Sequence, residues 1–334
     1  MSKYLVSCDW GTSSLRIHLL DSESRNIIDS DHSGQGCAVF YETWIETACG
    51  HPPAGSRDGY YLGYLQSKWK PLCARNHVNP ENVPVVISGM ASSNIGIMEL
   101  PYAITPFAID GTEAVVHEIP SNQTSNIILL ISGVQHGDEV MRGEETQLVG
   151  IHDTLVRLDN SRGVKVILPG THSKHVIVNR RRVTDFSTYI TGELFAILSN
   201  NGLFKDAVEK CAITREADGR LWDAFDAGIS VARDADISTA LFRIRTNRIF
   251  DRYDKQENYQ YLSGMLIAYE LGNLLSDRHQ PIVLCAGTNL CRPYVRAIDH
   301  LGLGCRVHLV DPYEADMAAI HGQLRIANHC INKI

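Results

Sequence analysis

Asp9, Gly11, Thr12, Ser13 and Ser14 stand together at the end of an apolar run. Gly170, Thr171, His172, Ser173 and Lys174 stand together at the end of another. A carboxylate, glycines and short hydroxyls at such turns are residue types that hold a phosphate chain and its cation. The two segments share a layout. Tyr4 to Cys8 and Val164 to Leu168 lead in; Leu15 to Leu20 and His175 to Val178 lead out. Strand, Gly-Thr turn, strand predicts a β-hairpin whose turn offers backbone N–H groups and hydroxyls to an anion. Two such hairpins predict two related halves sharing one polyphosphate. The sequence has no Gly-x-x-x-x-Gly-Lys-Ser/Thr and no Gly-x-Gly-x-x-Gly, the commoner nucleotide signatures.

Each residue has a plainer alternative. Asp9 is placed to hold Mg²⁺ through water, or it is a turn aspartate beside a glycine. Gly11 and Gly170 let a backbone approach phosphate closely. Thr12, Ser13, Ser14, Thr171 and Ser173 are hydroxyl donors, or ordinary turn residues. Lys174 adds a point charge or is a solvated lysine. His172 and His175 are three apart on a hairpin and point to opposite faces, which argues against a shared metal. His172 alone can contact phosphate or substrate. Gly287 follows the apolar run Pro281 to Cys285 and opens a helical pattern. A glycine there lets a flat ring such as adenine lie against the backbone.

Phosphoryl transfer to an alcohol needs a carboxylate to take the hydroxyl proton. Glu144 and Glu145 start a helical pattern just ahead of the second Gly-Thr turn. Pairing with the helix dipole is the alternative for either. Asp138, Asp185 and Glu193 are further carboxylates. Arg16 and Arg142 can each clamp a carboxylate, and Arg142 stands beside the glutamates. Arg180, Arg181 and Arg182 read as a solvated face.

The elements that must position these groups follow from periodicity. Val39 to Cys49 and Tyr60 to Ala74 predict helices, and Val83 to Ile87 a buried strand. That strand ends in the turn-rich loop Ser88 to Gly96, at the strand end where α/β sheets bind ligands. A strand over Asn126 to Ser132 precedes a polar connector, 133–143, and a helix from Glu144 to Ile151. The second half repeats the hairpin and adds a strand over Val183 to Thr188. A helix begins near Thr191, a candidate N-cap. Residues 205–277 are mainly helical. A strand over Cys305 to Val310 and a helix over Tyr313 to Ala327 follow. An α/β chain of two domains results, 1–140 and 141–334.

The 334 residues suit two cores rather than one. The formal charge of −7 argues against nucleic acid as partner. No apolar stretch reaches the ~18 residues that span a bilayer. Nine scattered cysteines without a Cys-x-x-Cys pair predict reduced thiols and a cytoplasmic setting.

In order, the segments Asp9 to Arg16, Gly89 to Gly96, Met141 to Leu148, Pro169 to Lys174 and Thr191 to Leu194 resemble the 2-dehydro-3-deoxygalactonokinase family. Arg142-Gly-Glu-Glu-Thr-Gln147 and Pro169-Gly-Thr-His-Ser-Lys174 are its specific signals. Asp-x-Gly-Thr is shared with sugar kinases, actin and heat-shock chaperone ATPases. The resemblance implies a duplicated ribonuclease H-like fold with ATP in the interdomain cleft. It implies transfer of the γ-phosphate to the 6-hydroxyl of 2-dehydro-3-deoxy-D-galactonate. ATP and Mg²⁺ are then the cofactors, and a homodimer would be unsurprising. Arg16, Arg142 and the loop residues Met90, Ser92, Ser93 and Asn94 would grip the sugar acid. Glu144 or Glu145 would be the base. The rival readings are a kinase for another sugar acid or a neutral sugar, a nucleotide-dependent switch, and a non-enzymatic protein of the same fold.

Overall fold

The computed structural model describes residues 2–48, 56–120, 126–159, 162–211, 219–276 and 279–331. The chain forms two compact units that are not consecutive halves. One comprises Met1–Asp159, Val178–Asp185 and Asp316–Ile334; the other comprises Asn160–Ile177 and Phe186–Ala315. Glu144 and Glu145 therefore belong to the first unit, on the far side of the expected cut at residue 140.

The first unit opens with β1 (Tyr4–Trp10), β2 (Leu15–Asp21) and β3 (Ile27–Ser33), followed by α1 (Cys37–Ala48), α2 (Arg57–Arg75) and β4 (Val85–Gly89). β1 pairs antiparallel with β2, with Asp9 opposite Arg16, and parallel with β4, with Trp10 opposite Gly89. β1 and β4 are buried almost throughout. That fits their near-continuous apolar sequence and a sheet covered on both faces. The buried positions of α2, including Tyr61, Leu65, Trp69 and Leu72, recur at helical spacing. The Trp10 ring lies 5.3 Å from Phe40 and 5.2 Å from Tyr61, and its indole N–H donates to the Gln35 carbonyl at 2.9 Å. The residue after Asp9 is thus a core anchor, which fixes where the first turn begins.

Short strands follow: β5 (Ala103–Ile104), β6 (Phe107–Ala108), β7 (Val116–Glu118), β8 (Ile128–Ile131), β9 (Val134–His136) and β10 (Glu139–Met141). β9 and β10 form a hairpin within the stretch expected as a polar connector. Helices α3 (Glu144–Gly150) and α4 (His152–Leu158) come next.

The second unit is built on β11 (Val164–Leu168), β12 (Ser173–Asn179) and β13 (Arg182–Tyr189). The outer residues of the last two, Val178–Asp185, group with the first unit; there Arg182 and Val183 pair with Ala108 and Phe107 of β6. Four helices follow: α5 (Thr191–Asn200), α6 (Gly219–Asp234), α7 (Ile237–Ile249) and α8 (Lys255–Leu271). β14 (Ile282–Leu284), α9 (Thr288–His300) and β15 (Val307–Leu309) complete it. Thr191 is the first helical residue of α5 rather than its N-cap, and no side chain caps that end. Cys49, the expected end of a helix, lies outside the described residues.

Strand order reveals the duplication. One six-stranded sheet runs β3-β2-β1-β4-β8, with β7 added at its edge; the other six-stranded sheet runs β13-β12-β11-β14-β15, with β6 added beside β13, and β10-β9-β5 form a small third sheet. Each of the two large sheets is 3-2-1-4-5 in its own count, and the strand counted fourth is parallel to the first in both. This is the duplicated ribonuclease H-like α/β fold.

The chain then returns to the first unit as α10 (Pro312–Ile331). Small residues let α10 and α3 meet at backbone distance. A methyl on Gly322 would sit 1.8 Å from the Thr146 carbonyl oxygen, and one on Gly150 would sit 1.8 Å from that of Ala318. Next to Gly322, the buried Gln323 amide donates to the Cys8 carbonyl at 2.9 Å and to Ser88 Oγ at 2.7 Å. It ties together the strands that carry Asp9 and Gly89. Gly322→Ala should therefore cost about 2 kcal/mol of stability through overpacking, read by urea unfolding. An unchanged midpoint would contradict the crossing.

Candidate active site

Three backbone segments of the first unit converge on Asp9. A methyl on Gly89 would lie 3.2 Å from Asp9 Oδ1, and one on Gly143 would lie 3.4 Å from the Gly89 Cα. The end of β1, the end of β4 and the start of α3 therefore meet. Asp9 is mostly buried, and Arg16 Nη1 approaches Oδ2 at 3.7 Å. Burial raises the Asp9 pKa, and the Arg16 charge opposes that rise. The Gly11 N–H donates to the Ser14 carbonyl at 2.9 Å and closes the turn, while Cys37 and Ala38 donate to the Gly11 and Thr12 carbonyls. The first residues of α1 thus brace the loop. The Thr12 and Ser13 side chains stay exposed.

The loop after β4 holds Arg142. The Ser92 hydroxyl and carbonyl both accept from Arg142 Nη1, the hydroxyl at 2.7 Å. The guanidinium also stacks over Tyr102, 4.1 Å from the ring centroid. Ser93 Oγ donates to the Met90 carbonyl at 2.7 Å, so Ser93 shapes the loop from within. Asn94 is exposed, and its carbonyl accepts from Arg57 at 2.8 Å. Tyr102 and Arg57 are partners the sequence reading missed; neither stands in a recognisable motif.

Gly143 has φ 110°, a backbone conformation that favours glycine, and it opens α3. The two glutamates then differ sharply. Glu144 is half-buried, and its Oε2 accepts the Arg142 N–H at 3.0 Å. Glu145 is 1% exposed. Its Oε2 accepts the Gly143 N–H at 2.6 Å, while Oε1 has no hydrogen-bond partner. Burial, reinforced by the neighbouring Glu144 charge, pushes the Glu145 carboxyl up to about 8. One carboxyl at this helix start is accessible; the other is a buried acid that holds its proton at neutral pH.

In the second unit the Gly170 turn borders a cavity of about 730 Å³, lined by Gly170, Thr191, Trp222, Asn289, Arg292 and Tyr294 among others. Gly287 caps α9 directly before Thr288 and Asn289, two of the lining residues. Tyr259 and Gln260 line it too and, like Trp222, come from helices in which no motif was legible. The turn is braced from α5. The Glu193 N–H donates to the Thr171 carbonyl at 3.0 Å, and His172 Nε2 meets the Glu193 carboxylate at 2.6 Å. Ser173, expected among the phosphate donors, is fully buried, and its hydroxyl meets Tyr294 Oη at 3.2 Å. Lys174 is also buried, and its ammonium donates to Thr188 Oγ1 at 3.0 Å. β12 begins at Ser173, so these side chains follow strand alternation rather than facing outward together. Of the arginine run, Arg182 pairs with Glu113 at 2.7 Å near the surface.

The model of the 2-keto-3-deoxy-galactonokinase family matches residues 9–326. The chain is 28% identical over 328 residues to 2-dehydro-3-deoxygalactonokinase of Escherichia coli K12, covering 96% of this chain and 97% of that one. A crystal structure provisionally described as a 2-dehydro-3-deoxygalactonokinase, from Sinorhizobium meliloti, superposes with a TM-score of 0.71 at 27% identity over 96% of each chain. The match extends over both units and includes Asp9, both Gly-Thr turns and the paired glutamates, and the chain belongs to the 2-keto-3-deoxy-galactonokinase family of phosphotransferases.

Proposed function

We propose that this chain is an ATP-dependent kinase that phosphorylates the 6-hydroxyl of 2-dehydro-3-deoxy-D-galactonate. The observation that carries the reading is the convergence of Asp9, the Arg142-bearing segment and Glu144 within one unit of a chain from this family. Arg142 is the cation for the sugar acid's carboxylate, held ready by Ser92 and Tyr102. The Ser92–Asn94 loop offers short polar groups for its hydroxyls, with Met90 against its carbon frame. Arg16, more than half exposed, is a second cation at the same strand end.

Glu144 takes the proton as the 6-oxygen attacks the γ-phosphorus in line. The new O–P bond forms as the bond to the ADP oxygen breaks. Glu145 suits that role less well, because burial and the neighbouring Glu144 charge favour its protonated form at neutral pH. The Asp9 carboxylate, with its one cationic neighbour 3.7 Å away, suits a hard cation held through water. Mg²⁺ there would neutralise charge on the phosphates. Thr12, Ser13 and Ser14 in the first unit, and the Gly170–Thr171–His172 turn in the second, supply phosphate contacts. The cavity beside Gly287 takes the base.

ADP release with Mg·ATP tests this against 2-dehydro-3-deoxy-D-galactonate, its gluconate epimer, galactonate, galactose and glycerol. Turnover confined to the first is the expected result. Turnover with both epimers would widen the substrate. Slow ATP hydrolysis that ignores the whole panel would replace the kinase by a nucleotide-driven switch.

A further inference from the structure

Behind the second Gly-Thr turn lies a chain of buried polar groups that the proposed chemistry does not use. Ser173 and His175 are two apart on β12 and share a face. Opposite them stand Tyr294 of α9 and Glu270 of α8. Ser173, His175, Tyr294 and Glu270 are each at most 3% exposed. A buried carboxylate between two helices and a strand is costly unless its lone pairs are filled.

The contacts fix a direction. Glu270 only accepts when ionised. Tyr294 Oη donates to its Oε2 at 2.8 Å, and His175 Nε2 meets its Oε1 at 3.2 Å. His175 must then carry its proton on Nε2. With its own hydrogen donated to Glu270 in that bond, the protonated Tyr294 oxygen is left to accept from the Ser173 hydroxyl, 3.2 Å away. Ser173 Oγ in turn accepts the Gly170 N–H at 3.2 Å. With the Ser173 hydroxyl turned to Tyr294 rather than to the Gly170 carbonyl 3.5 Å away, the protons point towards Glu270, from the phosphate turn on one side and from His175 on the other. Burial and the Glu270 charge hold the Tyr294 phenol well above its usual pKa, which keeps it a donor.

The same helices wall the cavity. Gln260, Ser263 and Ile267 of α8 line it one to three turns before Glu270; Thr288 and Arg292 of α9 line it shortly before Tyr294. We infer that Ser173, Tyr294 and Glu270 are positioning residues that fix the Gly170 turn in register with the cavity helices, so that the phosphates and the base of one nucleotide are met together. This rests on the nucleotide reading above and deepens it, because it separates phosphate recognition from base recognition. Tyr294 lines the cavity as well, but its hydroxyl is engaged by Glu270 and Ser173, so removing that hydroxyl leaves the ring in the cavity wall and acts on the phosphates through the Gly170 backbone.

The test compares Mg·ATP with adenosine, which has the base and sugar but no phosphate, by calorimetric titration of wild type, Tyr294→Phe, Ser173→Ala and the double variant. Tyr294→Phe keeps the ring and removes only the hydroxyl. Loss of one buried hydrogen-bonded link should weaken ATP by about tenfold and leave adenosine unchanged. The double variant should lose no more than the worse single, because both cut one chain. Equal weakening of ATP and adenosine would overturn the inference, since a general loss of packing does that. So would additive losses, or unchanged ATP binding in both singles. Should Tyr294→Phe fail to fold, Ser173→Ala carries the comparison alone, since it removes one atom at the turn. A wild-type chain that binds adenosine and ATP equally tightly also overturns it. A wild-type chain that binds neither overturns the nucleotide reading itself.

Discussion

Glu144→Gln is expected to lower kcat by about 10²–10⁴-fold, the range general-base catalysis contributes, while Mg·ATP binds as before. The amide keeps the shape of the side chain and can still accept the Arg142 N–H that Glu144 Oε2 accepts at 3.0 Å. Only the capacity to take a proton is lost. Glu145→Gln serves as the control. Its carboxyl is already neutral at pH 7, so an amide reproduces both its size and its charge state. Most of its turnover should survive. Steady-state kinetics with saturating ATP reads both variants. Loss in Glu145→Gln with retention in Glu144→Gln would reverse the two roles. Retention in both would remove the base from this helix start.

The second large effect concerns stability. The folded chain holds a proton on Glu145 up to about pH 8, whereas an ordinary glutamate releases it near 4.5. Between those values the folded state binds more protons than the unfolded state. Stability therefore falls as pH rises through that window and levels off above it. From pH 5 to pH 8 the loss amounts to about 3 kcal/mol. Glu145→Gln has no proton to lose, so its stability advantage over wild type should grow by about 3 kcal/mol across the same range. Urea unfolding at pH 5, 7 and 8 measures this. Parallel pH profiles for the two proteins would mean that Glu145 is not a buried acid.

Both Gly-Thr hairpins were legible because their strands are apolar runs bounded by a glycine turn. The signal is local and repeats. The strand β3 was not, since Ile27-Ile-Asp-Ser-Asp-His-Ser33 is polar and half-exposed at a sheet edge, where packing does not demand alternation. The hairpin of β9 and β10 hid among polar residues for the same reason. The site carboxylates and arginines were legible as types, but their states were not. Nothing in Glu144-Glu145 says which carboxyl is buried; that follows from the turn of α3 against α10. Ser173 illustrates the opposite error. Its hydroxyl reads as a ligand group in a turn, yet the strand starts at that residue and directs it into the core. The cavity wall around Trp222 was illegible because helical periodicity reports one buried face without naming what that face surrounds.

Gln323 gives the order of synthesis a consequence. The strands it joins, at Cys8 and Ser88, leave the ribosome long before Gln323 does. Gln323 itself follows every residue of the second unit. A nascent chain can complete the second unit while the first still lacks the strut behind Asp9. Folding of the first unit therefore waits for contacts more than 300 residues apart (Gln323 to Cys8, a separation of 315), which slows its completion relative to local assembly. Chains stalled between Ala315 and Gln323 should accumulate with one finished unit and one open one, and the open one carries Asp9, Glu144 and Glu145.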